Sequence, residues 1–187
     1  ERGRAIMAAA ALSFLAVPAV AVAQPALARN GDRPNRPAPL VARAFPAAQA
    51  VPVLDGRLDE AAWQDAPVIT GFTQVLPVDG GESSERTEVR VTYDADALYV
   101  VARMFDSEPA AVARRLGRRD SETSSDLFRV SIDSYHDHRT AFEFAVNAAG
   151  VRSDMLSAND ESYGDSSWDP VWEAAVSVDS LGWTAEI

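Results

Sequence analysis

Four carboxylates, Asp55, Asp59, Glu60 and Asp65, surround one tryptophan in the stretch LDGRLDEAAWQDA at residues 54–66. Two carboxyl groups can act as the acid and base of a sugar hydrolase, while a tryptophan stacks on the sugar ring. That chemistry requires a set separation between the two groups and a raised pKa for one of them. Nothing in this stretch sets either condition.

The same stretch has the pattern of a short helix at the entry to a folded domain. Asp59 suits the N-cap position, and Leu58 and Trp63 have the spacing of a hydrophobic staple around the first turn. Pro67 prevents the helix from continuing far. We therefore predict a structural helix, DEAAW, rather than a catalytic carboxylate pair.

The loop NDESYGDSSWDPVW at residues 159–172 is the best candidate for ligand contact. Sugar-binding proteins lay the apolar face of a sugar on an aromatic ring, and nearby polar groups bind its hydroxyls. Tyr163 and Trp168 lie among Asp, Ser and Gly residues, which is typical of an exposed loop. We predict that they contact a ligand, with simple loop packing of Trp168 as the alternative.

Acidic residues in two loops could bind calcium, which prefers six to eight oxygen ligands. Asp94 and Asp96 lie in the turn DADALY, and Asp160 and Asp165 lie in NDESYGD. Neither stretch fits the twelve-residue EF-hand pattern, because the glycine and the terminal glutamate are misplaced. These four residues are the predicted metal ligands, although the first pair also suits a turn without metal.

Other catalytic and metal-binding arrangements are missing from the sequence. The chain has no cysteine, which excludes thiol nucleophiles, thiolate metal sites and disulfides. His136 and His138 could form half of a zinc site, but the sequence contains no third histidine. It also has no G-x-S-x-G elbow and no phosphate-binding glycine loop. No catalytic constellation is therefore predicted in this segment.

The charge of the chain is unevenly distributed. Residues from Val51 onward carry 11 arginines and 26 acidic residues, a net charge of −15, whereas residues 24–50 carry a net charge of +3. Such an acidic domain argues against nucleic acid or an anionic membrane as a partner. The negative net charge of this domain favours metal cations or neutral molecules as ligands.

Alternation of apolar and polar residues dominates the sequence beyond Val51. A hairpin is predicted from two such segments joined by a short polar turn, TEVRVTYD and ALYVVARMF. Further strands are predicted from DLFRVSIDSY, TAFEFAVN, VRSDMLSA, VWEAAVSV and WTAEI. Apart from DEAAW, only EPAAVARRL has a helical pattern. We predict an all-β fold, an antiparallel β-sandwich of immunoglobulin or jelly-roll type with one short N-terminal helix.

The N-terminal part has the composition of an export signal and a linker. Two arginines precede the apolar run AIMAAAALSFLAVPAVAVA, so we predict a signal peptide at residues 1–23, cleaved near Ala23. Residues 24–50 are rich in Pro, Ala and Arg and predict a flexible linker. The folded domain is expected at residues 51–187, with its last strand continuing beyond Ile187.

Four motifs in order resemble the domains related to family 9 carbohydrate-binding modules: LDGRLDEAAWQDAP, EVRVTYDADALYVVARMFD, DLFRVSID and GWTAEI. They cover residues 53–187. The resemblance is closer still to domains at the N-terminus of large Gram-negative surface proteins that continue into a predicted outer-membrane β-barrel.

The resemblance implies a β-sandwich that binds saccharides, often with structural calcium, and a place in the periplasm, in the outer membrane or at the cell surface. It also implies ligand contacts from the positions of Arg129 and Asn147. Sugar-binding members have a tryptophan, an acidic residue and an arginine where this chain has Thr123, Arg129 and Ala145. Because many family members are attached to glycoside hydrolases, an enzyme in the remainder of the parent chain stays open.

Two functional hypotheses follow. The first is a saccharide-binding module of a larger exported protein, linked to carbohydrate catabolism, whose partner is the C-terminal remainder of the same chain. The second is a structural or interaction domain of an outer-membrane β-barrel protein that has lost its sugar site. An exposed aromatic platform around Trp168 is expected in the first case and a fully packed set of tryptophans in the second.

Overall fold

A computed structural model describes residues 44–47, 51–121, 123–158 and 164–187 of the chain, together with the backbone of residues 8–12. The described part is nearly all β, as the alternating pattern predicts. Its strands form two sheets. The elements are β1 (Ala8–Leu12), β2 (Phe45–Pro46), α1 (Ala61–Asp65), β3 (Thr87–Tyr93), β4 (Leu98–Phe105), a 3-10 turn (Pro109–Ala111), β5 (Leu127–Ile132), β6 (Thr140–Asn147), β7 (Arg152–Ala158), β8 (Ala175–Asp179) and β9 (Gly182–Glu186).

The five-stranded sheet has the order β2-β3-β4-β9-β8. The predicted hairpin is confirmed, because β3 and β4 pair antiparallel from Thr87 opposite Met104 to Tyr93 opposite Leu98. Strand β9 pairs antiparallel with both β4 and β8. Only β2 runs parallel to its neighbour, β3.

The four-stranded sheet has the order β1-β5-β6-β7. Strands β5, β6 and β7 form an antiparallel meander in which Val130 lies opposite Phe144 and Phe144 opposite Asp154. Strand β1 pairs parallel with β5 along its other edge. The export signal predicted for residues 1–23, which includes β1, stays a prediction.

The core lies between the two sheets. Because successive side chains of a strand point to opposite faces, each strand contributes every second residue to this core. From the five-stranded sheet come Val89, Val91, Val100 and Trp183, and from the four-stranded sheet come Phe128, Val130 and Val146, all buried.

Residues 52–69 cover the outer face of the five-stranded sheet. Trp63 of α1 is fully buried there, and its indole Nε1 donates a hydrogen bond to Oε1 of Glu186 at 2.8 Å. The backbone N–H groups of Asp55 and Gly56 donate to the other oxygen of Glu186, at 2.9 and 2.5 Å. The opening stretch of acids and tryptophan is therefore a structural attachment, as predicted.

Three local predictions need correction. Helix α1 begins one residue later than expected, so Glu60 rather than Asp59 occupies the N-cap position, and it makes no side-chain capping bond. With Glu60 as the N-cap, Leu58 and Trp63 no longer occupy the two positions of a hydrophobic staple. The Trp63 side chain is fixed instead by its hydrogen bond to Glu186. Strand β8 begins at Ala175, which places Trp172 and Ala174 ahead of the strand.

The helix predicted from EPAAVARRL is also wrong beyond its first turn. Only Pro109–Ala111 forms a 3-10 turn, and the chain from Val112 onward is irregular. The N–H of Ala113 donates to Oδ2 of Asp126 at 3.0 Å, and its carbonyl accepts from the N–H of Asp126 at 2.8 Å. These long-range bonds take the backbone groups that a helix would need.

None of the helices in the described residues is long and apolar enough to cross a bilayer.

Candidate functional site

The outer face of the four-stranded sheet carries a network of polar side chains. Nη1 of Arg129 on β5 donates to Oε2 of Glu143 on β6 at 3.0 Å, and the hydroxyl of Ser157 on β7 donates to the other oxygen, Oε1. The Arg129 side chain is 37% exposed and that of Glu143 15%. Three neighbouring strands thus present a cation, an anion and a hydroxyl to the same side.

The strand register explains why these side chains converge. Arg129 lies opposite Ala145, which lies opposite Ser153, and Ser131 lies opposite Glu143. Each of these positions alternates with a residue that faces the core. Most of the neighbouring outer-face positions carry small side chains, but Met155 lies directly opposite Glu143, and Ala145 is buried. The small residues of this outer face are Ser131, Ala141, Ala145, Ser153 and Ser157.

Asn147, a predicted ligand residue, occupies the end of the same face but is only 2% exposed. Its Nδ2 donates to the carbonyl of Arg115 and to the hydroxyl of Thr123, both at 3.0 Å. Its Oδ1 accepts from the N–H groups of Ala149 and Val151, both at 2.9 Å. All the amide's usual hydrogen bonds are made within the domain, so Asn147 has a structural role here.

Trp168 lies on the other side of β6. Its half-buried ring packs against Phe142 at a centroid distance of 5.0 Å and against Phe144 at 5.6 Å. These phenylalanines alternate with Glu143, and their register partners include the core residue Val130. The structure therefore separates Trp168 from Arg129 by the thickness of the sheet. Tyr163 lies outside the described residues.

Trp172 continues this aromatic row and is held by a buried carboxylate. Its ring meets Phe144 edge-on at 5.4 Å, and its Nε1 donates to Oδ1 of Asp154 at 3.0 Å. Nη2 of Arg119 donates to the same oxygen at 2.5 Å and also lies 2.7 Å from Oδ1 of Asp169. This network attaches the segment before β8 to strand β7.

The predicted metal ligands do not form a common site in the described residues. Oδ1 of Asp94 accepts the N–H groups of Asp96 and Ala97, both at 2.8 Å, and Oδ2 accepts the Tyr99 hydroxyl. The backbone bonds lower the pKa of Asp94, as is typical of a turn-capping aspartate.

Asp165 lies at a bridge to Leu156, and its Oδ1 accepts bonds from the hydroxyl and the N–H of Ser167, which lower its pKa. Asp160 lies outside the described residues. Within the rest, no three acidic or histidine side chains are grouped as a metal site requires. Calcium binding stays a prediction.

A recess opens between the sheets at one end of the sandwich. It has a volume of about 490 Å³, within the range of small-ligand pockets. Its walls are formed mainly by apolar side chains, including Leu98, Val130, Phe144 and Trp172, with Glu173 and Tyr99 as polar members. Such a lining suits apolar groups and offers few partners for sugar hydroxyls.

Sequence reasoning missed Glu143 and Ser157 as members of the polar face. The signal for Glu143 is present in TAFEFAVN, where it alternates with Phe142 and Phe144 and so must point away from the core. The pairing that brings it to Arg129 depends on strand register, which the sequence does not specify.

Comparison with known proteins gave two similar solved structures. No family model and no curated protein matches the chain. A family 9 carbohydrate-binding module from Caldicellulosiruptor kristjanssonii in complex with cellotriose is 15% identical, with a TM-score of 0.49 over 76% of this chain and 65% of that chain. The same kind of module from that organism in complex with glucose is 14% identical, with a TM-score of 0.49 over 76% of this chain and 66% of that chain. This chain thus spans slightly less than two thirds of either structure's length.

Proposed function

We propose that this domain is a saccharide-binding module and that its ligand lies on the outer face of the four-stranded sheet. The observation that carries the proposal is the Arg129–Glu143–Ser157 hydrogen-bond network on this face. A planar guanidinium and a carboxylate, held rigidly side by side, match the paired donors and acceptors of neighbouring sugar hydroxyls.

The order of sequence motifs supports the same function, since they resemble domains that bind saccharides. The site is polar rather than aromatic, because Trp168 packs on the opposite side of β6 against Phe142 and Phe144. We therefore expect modest affinity, dominated by hydrogen bonds and sensitive to the loss of either charged partner.

Isothermal titration with cellotriose and glucose tests the proposal in the intact protein. Replacing Glu143→Gln keeps the size of the side chain but removes the charge that positions Arg129. We expect at least a tenfold loss of affinity, since hydrogen bonds to charged groups contribute about 1.5–3 kcal/mol. Glu88→Gln is the matched control, because Glu88 lies on a strand of the other sheet and pairs with Arg86.

The variant Trp168→Ala distinguishes a ligand site on the outer face of β6 from one on its aromatic side. If the ligand lies on the outer face, this variant binds cellotriose like the wild type once its folding has been verified by circular dichroism. Loss of binding in Trp168→Ala with full binding in Glu143→Gln would place the site on the aromatic side. Absence of binding to any saccharide would favour the interaction-domain hypothesis.

We also propose the wider setting that the resemblance implies. The domain is exported to the periplasm or cell surface of a Gram-negative bacterium, and its partner in the same chain is a C-terminal remainder of outer-membrane β-barrel type. Saccharide capture then serves carbohydrate catabolism. Structural calcium is part of this proposal, and a lower melting temperature in the presence of a chelator is its test.

A further inference from the structure

A cluster of exposed arginines lies at one end of the outer face. Residues 114–118, RRLGR, here called the basic loop, connect the two sheets between β4 and β5. Its arginines, Arg114, Arg115 and Arg118, are all exposed, and Leu116 at its tip is 83% exposed. Three cations and a projecting apolar side chain are thus presented on five consecutive residues.

Two buried polar side chains hold the basic loop at Arg115. The N–H of Arg115 donates to the hydroxyl of Ser125 at 2.8 Å, and its carbonyl accepts from Nδ2 of Asn147 at 3.0 Å. At the other end, the carbonyl of Arg118 accepts the N–H and the hydroxyl of Ser121. A loop that is fixed to the domain at one end and closed by a local turn at the other loses less conformational freedom when it binds a ligand.

These arginines have no partner among the carboxylates of the described residues. Arg86, Arg103, Arg119 and Arg129 each lie within 4.0 Å of an acidic oxygen, whereas no acidic oxygen that the structure describes lies that close to Arg114, Arg115 or Arg118. Acidic residues outnumber arginines by 26 to 11 from Val51 onward. A group of neighbouring, mutually repelling cations with no described carboxylate partner suits an external anion.

The basic loop adjoins the proposed ligand face. Asn147, which binds the loop at Arg115, shares its side of β6 with Ala145, and Ala145 lies opposite Arg129. Two residues along a strand correspond to about 7 Å, the length of roughly one sugar unit. A saccharide of two or three units bound at Arg129 is therefore long enough to reach the loop, passing over the buried Ala145 and Asn147.

We propose that the ligand of this face is an acidic saccharide, whose carboxylate groups bind the arginines of the basic loop while its hydroxyls bind Arg129 and Glu143. This inference rests on the proposed saccharide function and adds the charge of the ligand. Guanidinium groups bind carboxylates by paired, charge-assisted hydrogen bonds. The net negative charge of the domain opposes this only weakly, because distant charges are screened beyond about 8 Å at physiological ionic strength.

Titration of the intact protein with trigalacturonate and with cellotriose tests the inference. We expect trigalacturonate to bind at least tenfold more tightly, and the difference to shrink as sodium chloride is raised. The triple variant Arg114→Gln, Arg115→Gln, Arg118→Gln should lose this preference and keep its affinity for cellotriose. The control triple variant Arg57→Gln, Arg86→Gln, Arg139→Gln removes the same charge elsewhere and should keep the preference.

The possible outcomes separate this inference from the function on which it rests. If cellotriose binds as tightly as trigalacturonate, the inference is wrong and the saccharide function stands. If neither binds, both are wrong. Two further outcomes would show a site for another anion and overturn the inference. In the first, inorganic phosphate alone binds as tightly as trigalacturonate. In the second, trigalacturonate does not bind, whereas phosphatidylglycerol vesicles do and this binding is lost in Leu116→Ser.

Discussion

Glu186 shows how one buried carboxylate can join distant parts of the chain. It is fully buried on β9 and accepts two backbone N–H groups and the indole N–H of Trp63, at separations of more than 120 residues along the chain. None of the ion pairs among the described residues includes it. Three donors therefore compensate the loss of water around this charge.

The pKa of Glu186 determines how its contribution depends on pH. Burial raises the pKa, and the hydrogen bonds from Gly56, Trp63 and Asp55 oppose that rise only in part. Because the folded state binds the proton more tightly than the unfolded state, this group contributes more stability at acid pH. That contribution falls as pH rises from the unfolded pKa, near 4.3, through the raised folded pKa.

Replacing Glu186→Gln should destabilise the domain by about 1–3 kcal/mol, because an amide N–H₂ then lies where donors already converge. The cost should be larger at pH 4 than at pH 7, since only the wild type loses stability as Glu186 ionises. Urea unfolding at both pH values, followed by tryptophan fluorescence, measures the difference. The exposed Glu108→Gln is the control, and a cost that grows toward pH 7 would contradict the expected sign.

At the scale of elements, the strands could be predicted because their alternation is a local property. Phe128, Val130 and Ile132 recur at every second position and form one face of β5, as expected. Residues 113–115 could not be predicted, because their backbone bonds go to Ser125, Asp126 and Asn147. Local helix propensity is weak compared with such contacts, and the sequence does not show them.

The candidate site could be predicted only in part for the same reason. Arg129 reaches the outer face by alternation, but its partner Glu143 depends on register. The residues around Trp168 have the composition of an exposed loop, yet its ring packs against Phe142 and Phe144 of β6. Asn147 resembles a ligand residue by position, although it holds the basic loop. Which side of a strand a loop residue packs against is a tertiary property.

The β8–β9 hairpin depends on the absence of a side chain at Gly182. Its φ is +139°, and an added Cβ would lie 2.1 Å from the carbonyl oxygen of Met104 on the neighbouring strand β4. We therefore expect Gly182→Ala to lower the free energy of unfolding by well over the ~1 kcal/mol that an unfavourable φ alone would cost. The melting temperature should fall strongly.

Gly150 provides a matched control for this substitution. Its φ is +83°, but an added Cβ would meet only a side-chain atom of Val176 at 3.5 Å. Gly150→Ala should cost only about 1–2 kcal/mol, the penalty of the left-handed conformation. Equal melting temperatures for the two alanine variants would contradict the close approach of β4 to the hairpin.

At the scale of the whole molecule, the two sheets differ in what covers their outer faces. Residues 52–69 close the five-stranded sheet, with Trp63 fully buried. The four-stranded sheet instead carries the Arg129–Glu143 pair, with the basic loop at its end. This asymmetry is the reason why the proposed ligand face lies on one side of the sandwich. It also concentrates positive charge there in a domain that is otherwise acidic.

The net charge of −15 from Val51 onward should make the stability of the domain depend on salt. Raising sodium chloride from about 10 to about 300 mM screens the repulsion among carboxylates. We expect the melting temperature to rise by roughly 3 °C, which corresponds to about 1 kcal/mol for a domain of this size. Differential scanning calorimetry at pH 7 measures it.

Variants of opposite charge give this prediction its control. Replacing the exposed acids Asp65→Asn, Glu82→Gln and Glu108→Gln together should raise the melting temperature at low salt and reduce the effect of added salt. Replacing Arg57→Gln, Arg114→Gln and Arg118→Gln should do the reverse, because it makes the domain more acidic. If both triple variants melt at lower temperature at low salt, lost local contacts rather than overall repulsion dominate the surface.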